Sequence, residues 1–209
     1  MVFPQPEGPS IDTNSDSLNS KSIPFNISST VEYIGGNAFG GNNLRGELIL
    51  PSKMKYLAPG AFSSLYLTGK IQIPEGLTVV EGAFPPNMTG DVRIPQGVKR
   101  INGIGGKPTS IYIPEGVEEI GFQAFWCVGS LSGDIHLPST IRKIEADAFA
   151  ATSISHINLP EGLELIESNT FGWCQNLQDT ISIPSTVIQI RDRAFAECSK
   201  LTAIILPAG

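Results

Sequence analysis

The sequence predicts a solenoid of about eight stacked coils, mainly β or mixed α/β. A parallel β-sheet should form one face, and short helical turns or loops the other. The main observation is a motif, Ile-x-[Ile/Leu]-Pro-x-x-[Val/Ile/Leu]-x-x-Ile-x-x-x-[Ala/Thr]-Phe, found in residues 111–125, 135–149, 157–171 and 181–195. Its prolines are spaced by 24, 22, 24 and 23 residues, at Pro114, Pro138, Pro160, Pro184 and Pro207. Such a period is typical of repeat proteins whose units stack on one another.

Four less regular copies precede these. They begin at Phe25, Leu48, Ile71 and Val92, and the fourth (VRIPQGVKRINGIGG) has no phenylalanine. Coil lengths therefore run from 19 to 24 residues, and residues 23–209 are predicted to form one repeat domain. The glycine run of the fourth copy, residues 103–106, is interpreted as compensation for its shortness. Residues 1–22 are polar and aperiodic, which predicts a linker or a loosely ordered N-terminal segment.

The residue pattern within one coil predicts its elements in order. Alternating residues such as Ile111 and Ile113 indicate a strand with one buried face, and nine such strands would make one parallel sheet. The following proline ends the strand and sets φ for the turn. Val117 and Ile120 should then point inward on the returning limb, and the Ala-Phe step should close the coil in a short helical turn.

The phenylalanines are predicted to form the structural core of the repeats. Each occupies the same place in its coil, so the rings should stack as one column. The members are Phe39, Phe62, Phe84, Phe125, Phe149, Phe171 and Phe195.

The three cysteines, Cys127, Cys174 and Cys198, show no metal-ligand spacing. Cys174 and Cys198 each lie fourteen residues after a motif proline, so they should be neighbours in adjacent coils. A disulfide is one interpretation. Two buried free thiols are the other, favoured because stacked side chains point the same way.

Composition and motifs exclude several classes of function. A net charge of −6 and a pI near 4.9 argue against nucleic-acid binding. No apolar run is long enough to insert in a membrane as a helix, and the chain as given has no signal peptide. No catalytic set and no cofactor motif is discernible, so we expect neither an enzyme nor a bound cofactor.

The repeated proline, Ala-Phe and cysteine positions resemble the BspA-like subclass of leucine-rich repeat over residues 25–207. The period also lies in the range of leucine-rich repeats. The resemblance implies a curved solenoid, secreted or at a cell surface, that serves adhesion or the recognition of proteins and glycans without catalysis.

Residues that the repeat does not dictate lie between the buried aliphatic residues, on the outer face of the predicted sheet. That face would be concave if the coil curves as leucine-rich repeats do, and such surfaces bind extended partners. Arginine and tyrosine are enriched at binding hot spots. We therefore predict a recognition patch there, although a solvated sheet face also requires polar residues. The predicted patch consists of Asp91, Arg93, Tyr112, Asp134, His136 and His156.

Other interpretations stay open. Asp134, His136 and His156 could bind a metal, or Asp134 and His156 could share a cross-strand hydrogen bond. Trp126 and Trp173 are expected to pack partly buried, but exposed indoles would suggest a sugar platform. The repeats could also be a structural spacer in a larger surface protein or, less favoured, an enzyme using the His/Asp patch. Finally, residues 204–206 form an uncapped edge strand that predicts end-to-end self-association.

Overall fold

The computed structural model describes residues 25–63 and 66–207, which wind as a parallel-strand β-solenoid of about eight turns. The predicted polar segment 1–22 lies outside the described residues. Each regular turn has three parts: a longer strand, a two-residue strand, and a run of turns that we call the turn limb. The longer strands are β1 (Phe25–Asn26), β3 (Arg45–Ile49), β5 (Tyr66–Thr68), β7 (Phe84–Arg93), β9 (Gly105–Tyr112), β11 (Ser132–His136), β13 (Ser153–Asn158), β15 (Asp179–Ser182) and β17 (Leu201–Ile205).

These nine strands, the long-strand ladder, do not form the single continuous sheet expected from the sequence. They hydrogen-bond in four parallel groups: β1-β3-β5, β7-β9, β11-β13 and β15-β17. Register shifts occur inside three of these groups, for example between Gly133 and Asp134 and between Asp179 and Thr180. Bulges of this kind leave a residue unpaired and locally disrupt a ladder.

The returning limb is a second set of strands, which sequence periodicity could not reveal because each has only two residues. Seven of their second residues are buried in the core, whereas their first residues face outward. We call this set the short-strand ladder. It consists of β2 (Tyr33–Ile34), β4 (Tyr56–Leu57), β6 (Val79–Val80), β8 (Arg100–Ile101), β10 (Glu119–Ile120), β12 (Lys143–Ile144), β14 (Leu165–Ile166) and β16 (Gln189–Ile190).

The turn limb contains no helix in the part of the chain that the structure describes. Gln123 and Cys127 have φ values of 55° and 57°, and equivalent residues of later coils are also left-handed. An α-helix needs consecutive right-handed residues, so this alternation replaces the expected helical turn. Alternate amides bond in two directions: the Phe125 amide donates to Ala148 O of the next coil (2.8 Å), and the Trp126 amide to Gln123 O of its own (3.1 Å).

The phenylalanine rings form two stacks, not one column. Phe39 stacks on Phe62 with ring centroids 5.3 Å apart. The second stack has centroid separations of 5.1, 5.7 and 5.3 Å along Phe125, Phe149, Phe171 and Phe195. The prediction is wrong for Phe84, which is buried but pairs with neither neighbouring stack among the described rings. The fourth coil supplies no ring to continue the column.

The glycine run of the fourth coil allows a close backbone approach. The Phe84 amide donates to Ile104 O at 3.2 Å, and Gly105 is the register partner of Phe84. Gly105 has a φ of 79°, and a Cβ there would lie 2.4 Å from Phe84 O. Only glycine fits this backbone and this distance, so the run lets the shortened coil stack on the preceding one.

Cys174 and Cys198 are free buried thiols, so the disulfide interpretation is wrong. Each thiol donates to the main-chain oxygen of a phenylalanine one coil earlier, at 3.1 Å: Cys174 to Phe149 and Cys198 to Phe171. Burial raises the pKa of the Cys174 thiol and raises that of Cys198 to about 11. Both therefore act as small core residues that stay protonated.

The last coil leaves aliphatic side chains uncovered. Ile204 is 41% exposed and Leu206 is 63% exposed, whereas Ile181 and Ile183 are buried at the same places one coil earlier. Ile188 is 86% exposed, and the equivalent residues of the two preceding coils are Glu164 and Arg142. Self-association through this end stays a prediction.

Candidate functional site

The long-strand ladder places the six predicted site residues on two of its groups. Asp91 and Arg93 lie on β7 and Tyr112 on β9, where Arg93 and Tyr112 are register partners. The other three residues lie on β11 and β13: Asp134, His136 and His156. The structure thus divides the predicted patch into a β7-β9 half and a β11-β13 half.

Arg93 and Tyr112 form a cation–π pair at the β7-β9 half. The guanidinium carbon of Arg93 lies 4.8 Å from the centroid of the Tyr112 ring, which is half exposed. Sequence reasoning missed a second pair of the same kind, in which Arg45 on β3 lies 4.9 Å from the Tyr66 ring on β5. The signal was available, because both pairs combine an outward arginine with an outward tyrosine one coil later. In such a pair the planar guanidinium lies over the aromatic ring, so that a positive charge is fixed at an exposed position.

Asp91 is held beside this pair by two hydroxyl donors from β9. Thr109 Oγ1 and Ser110 Oγ donate to its Oδ1 at 2.9 and 2.7 Å. The Ser110 bond, followed by the Thr109 bond, keeps the pKa of the Asp91 carboxyl below its ordinary value. This fixed carboxylate, Arg93 and Lys70 all line one shallow depression.

His156 links three coils in the β11-β13 half. Its Nδ1 lies 2.6 Å from Asp134 Oδ1 and its Nε2 lies 3.1 Å from Asp179 Oδ2. The hydrogen-bond interpretation of Asp134 and His156 is confirmed, and the third partner is Asp179, not His136. Thr180 was the residue expected to face outward there, but the side chain that reaches the ring is that of Asp179, whose backbone is left-handed with a φ of 61°. The described residues contain no group of three or more His, Cys, Asp or Glu side chains that could hold a metal ion.

His136 lies opposite Asn158 on the same face. The Asn158 amide is occupied by the backbone of Leu137: its Oδ1 accepts from the amide at 3.0 Å, and its Nδ2 donates to the carbonyl at 3.1 Å. Asn158 therefore extends the ladder, and His136 is the side chain of this register pair that a ligand can use.

We expect His156 to titrate above its ordinary pKa of 6.5, because hydrogen bonds to Asp134 and then to Asp179 stabilise the imidazolium. A raised folded-state pKa means that the stabilisation is complete below pH 6.5 and is lost as pH rises through the folded pKa. An NMR titration of the His156 ring protons measures the midpoint, which Asp134→Asn should lower. An unchanged midpoint in that variant would contradict the contact.

The short-strand ladder carries a network of ion pairs that sequence reasoning also missed. Arg100 contacts Glu119 and lies 3.2 Å from Glu145, which accepts from Lys143 Nζ at 2.6 Å. The Lys143 bond is the main cause of a lowered pKa for the Glu145 carboxyl. Charges of alternating sign at one repeat position, as in Arg100, Glu119 and Lys143, were the available signal. Because these charged side chains pair with one another, fewer unpaired polar groups remain for a ligand on this face than on the long-strand face.

The two tryptophans are partly packed and partly exposed. Trp126 is 51% exposed and Trp173 is 39% exposed, both on the turn limb. The exposed part of each indole keeps the sugar-platform alternative open.

Comparison with known proteins decides the family. A family model for the BspA type leucine-rich repeat region, in 6 copies, matches residues 13–103 and 106–209. The chain belongs to the BspA-type leucine-rich repeat family. The two matched ranges adjoin at the shortened fourth coil, and the first begins inside the segment predicted to be a linker.

Two solved structures share the fold of this BspA-type chain. A leucine-rich repeat protein from Bacteroides ovatus matches with a TM-score of 0.64 at 23% identity, covering 87% of this chain and 48% of that one. A leucine rich cell surface protein from Faecalibacterium prausnitzii matches with a TM-score of 0.53 at 23% identity, covering 88% and 59%. This chain thus spans about half the length of each. No curated protein matches the sequence.

Within residues 25–63 and 66–207, no helix has the length and apolar character needed to cross a bilayer.

Proposed function

We propose that this BspA-type repeat protein is a non-enzymatic recognition module that binds a protein or glycan ligand through the long-strand face. The observation that carries the proposal is the pair formed by Arg93 and Tyr112, because it presents a cation and an aromatic ring together, half exposed, beside the fixed carboxylate of Asp91. Arginine and tyrosine dominate binding energy at interfaces.

Two further features support binding in place of catalysis. The carboxylates that could act as bases are engaged, Asp91 by hydroxyl groups and Asp134 by His156. Both also lie on an exposed sheet face, where water screens the electrostatic interactions that catalysis uses. We propose on the same basis that the ligand is recognised without a cofactor.

We also propose that the chain acts at a cell surface or after secretion. Support comes from the Faecalibacterium prausnitzii protein that shares the fold, which is described as a leucine rich cell surface protein. An acidic pI near 4.9 suits a partner that is a protein or glycan, and does not suit nucleic acid.

Replacement of three outward residues, Arg93, Tyr112 and His136, by alanine tests the proposal. Binding to immobilised fibronectin, laminin and mucin is measured by surface plasmon resonance. We expect the triple variant to lose at least about tenfold in affinity for the component that the wild type binds, because each hot-spot residue is worth about 2 kcal/mol.

The matched control carries Tyr33→Ala, Lys55→Ala and Tyr56→Ala, which removes two exposed tyrosines and a cation from the short-strand side. We expect this control to bind as the wild type does. If neither triple variant changes binding, the long-strand face is not the site. If the wild type binds none of the immobilised components, the alternative function as a structural spacer is favoured.

A further inference from the structure

One coil is two residues shorter than its neighbours, and a notch in the solenoid wall lies where this coil meets the next one. Ile157, the first aliphatic residue of the next long strand, lies eight positions after Phe149. In the coils on either side, the corresponding aliphatic residue lies ten positions after Phe125 and Phe171. Both flanking coils therefore carry a longer loop than the coil between them.

The notch has a volume of about 380 Å³ and lies in the corner between the turn limb and the long-strand ladder. The short coil supplies its floor, and the longer coil that follows supplies one wall. The lining residues are Ala151, Thr152, Ser153, Trp173, Gln175 and Asn176. None of the six is charged. This volume is within the range of small-molecule sites in proteins.

Trp173 gives the wall a broad apolar surface. The equivalent residues of the neighbouring coils are Ala151 and Glu197, so the repeat does not require an aromatic ring at this position. The indole is 39% exposed, and Ala151 leaves the space in front of it open. Tryptophan is enriched at interfaces, because its ring offers a broad apolar surface and its N–H a polar group.

The remaining lining groups supply hydrogen bonds of defined direction. Thr152 is buried and its hydroxyl donates to Phe149 O at 2.8 Å, so it closes the floor. Asn176 accepts from Lys200 Nζ at 2.8 Å through its Oδ1, which orients its amide. The Asn176 NH₂ group, the Gln175 amide and the Ser153 hydroxyl are polar groups at the rim of the notch.

We propose that this notch is a carbohydrate subsite for a neutral saccharide. A pyranose ring has an apolar face that can lie on an indole and a rim of hydroxyl groups that bond to amides and hydroxyls. None of the six lining side chains is charged and the nearby Lys200 ammonium donates to Asn176, which favours a neutral ring over an ionic sugar. The subsite lies on another part of the coil from the Arg93–Tyr112 pair, and it does not depend on the function proposed for that face.

Fluorescence provides a local test. Trp126→Phe leaves Trp173 as the single tryptophan of the chain. We expect titration with cellotetraose, chitotetraose or mannotetraose to change the Trp173 emission of this variant in a saturable manner with at least one of the three. Absence of any change with all three at millimolar concentration overturns the proposal.

Calorimetry with the responding oligosaccharide then locates the site. Trp173→Ala should weaken binding by at least about tenfold. Trp126→Ala is the matched control, since that indole is at least as exposed but does not line the notch, and it should bind as the wild type does. Ala151→Glu fills the floor with the side chain that the adjacent coil carries at Glu197, keeps Trp173 in place and should also abolish binding. Equal losses in the Trp173 and Trp126 variants, or full binding by Ala151→Glu, would assign the saccharide to another surface.

Discussion

Phe149→Ala is expected to destabilise the protein by about 3–5 kcal/mol. The Phe149 ring is fully buried, lies 5.1 Å from the Phe125 ring and 5.7 Å from the Phe171 ring, and links the coils before and after it. Truncation removes two stacking contacts and leaves a cavity that the rigid turn limb cannot fill. Because each coil contacts only its neighbours, we also expect the two halves of the solenoid to unfold less cooperatively.

Urea unfolding followed by circular dichroism measures this loss. The matched control is Phe122→Ala, which removes the same ring from a position that is 57% exposed, and it should change stability by no more than about 0.5 kcal/mol. A Phe149→Ala variant as stable as the control would show that the ring stack does not hold the coils together. Typical domains are stable by only about 5–15 kcal/mol, so the expected loss is a large share of the total.

We propose that the chain also self-associates through β17. The Ile205 carbonyl accepts from the Ile183 amide at 2.8 Å, so the main-chain groups of the preceding residue, Ile204, face the open edge of the ladder. Ile188 and Leu206 are exposed beside that edge, and residues 201–207 carry no charge that would repel a second copy. Antiparallel pairing of two β17 strands about a two-fold axis at Ala203 would satisfy the edge and cover the aliphatic side chains.

Ala203→Lys tests this arrangement, because the two Ala203 Cα atoms would lie about 4.5 Å apart across the axis and two lysines there would repel each other. We expect sedimentation velocity to show a dimer for the wild type and a monomer for the variant. Thr180→Lys, at the register partner one coil inside, should leave the dimer intact. A wild type that stays monomeric at high concentration would contradict the pairing.

Much of the fold could be predicted because a repeat uses the same pattern many times. The alternating aliphatic residues at Ile111 and Ile113, the proline after them and the phenylalanine eleven residues beyond that proline recur whether or not any one copy is imperfect. The repeat period of the sequence determines which of these residues are buried, and the structure confirms that burial. A strand of two residues is too short to show alternation, and the left-handed residues of the turn limb differ in type from coil to coil, so neither feature was predictable.

The candidate site divides in the same way. Alternation along a strand determined that Arg93, Tyr112, Asp134 and His156 lie on the outer face of the solenoid, because side chains next to buried ones must point outward. Only the tertiary structure decided which of them meet. The left-handed backbone at Asp179 accompanies a contact of that carboxylate, and not of Thr180, with His156. The notch beside Trp173 likewise forms between residues of two adjacent coils. Contacts between coils depend on the accumulated register of all the residues between them, which no single motif contains.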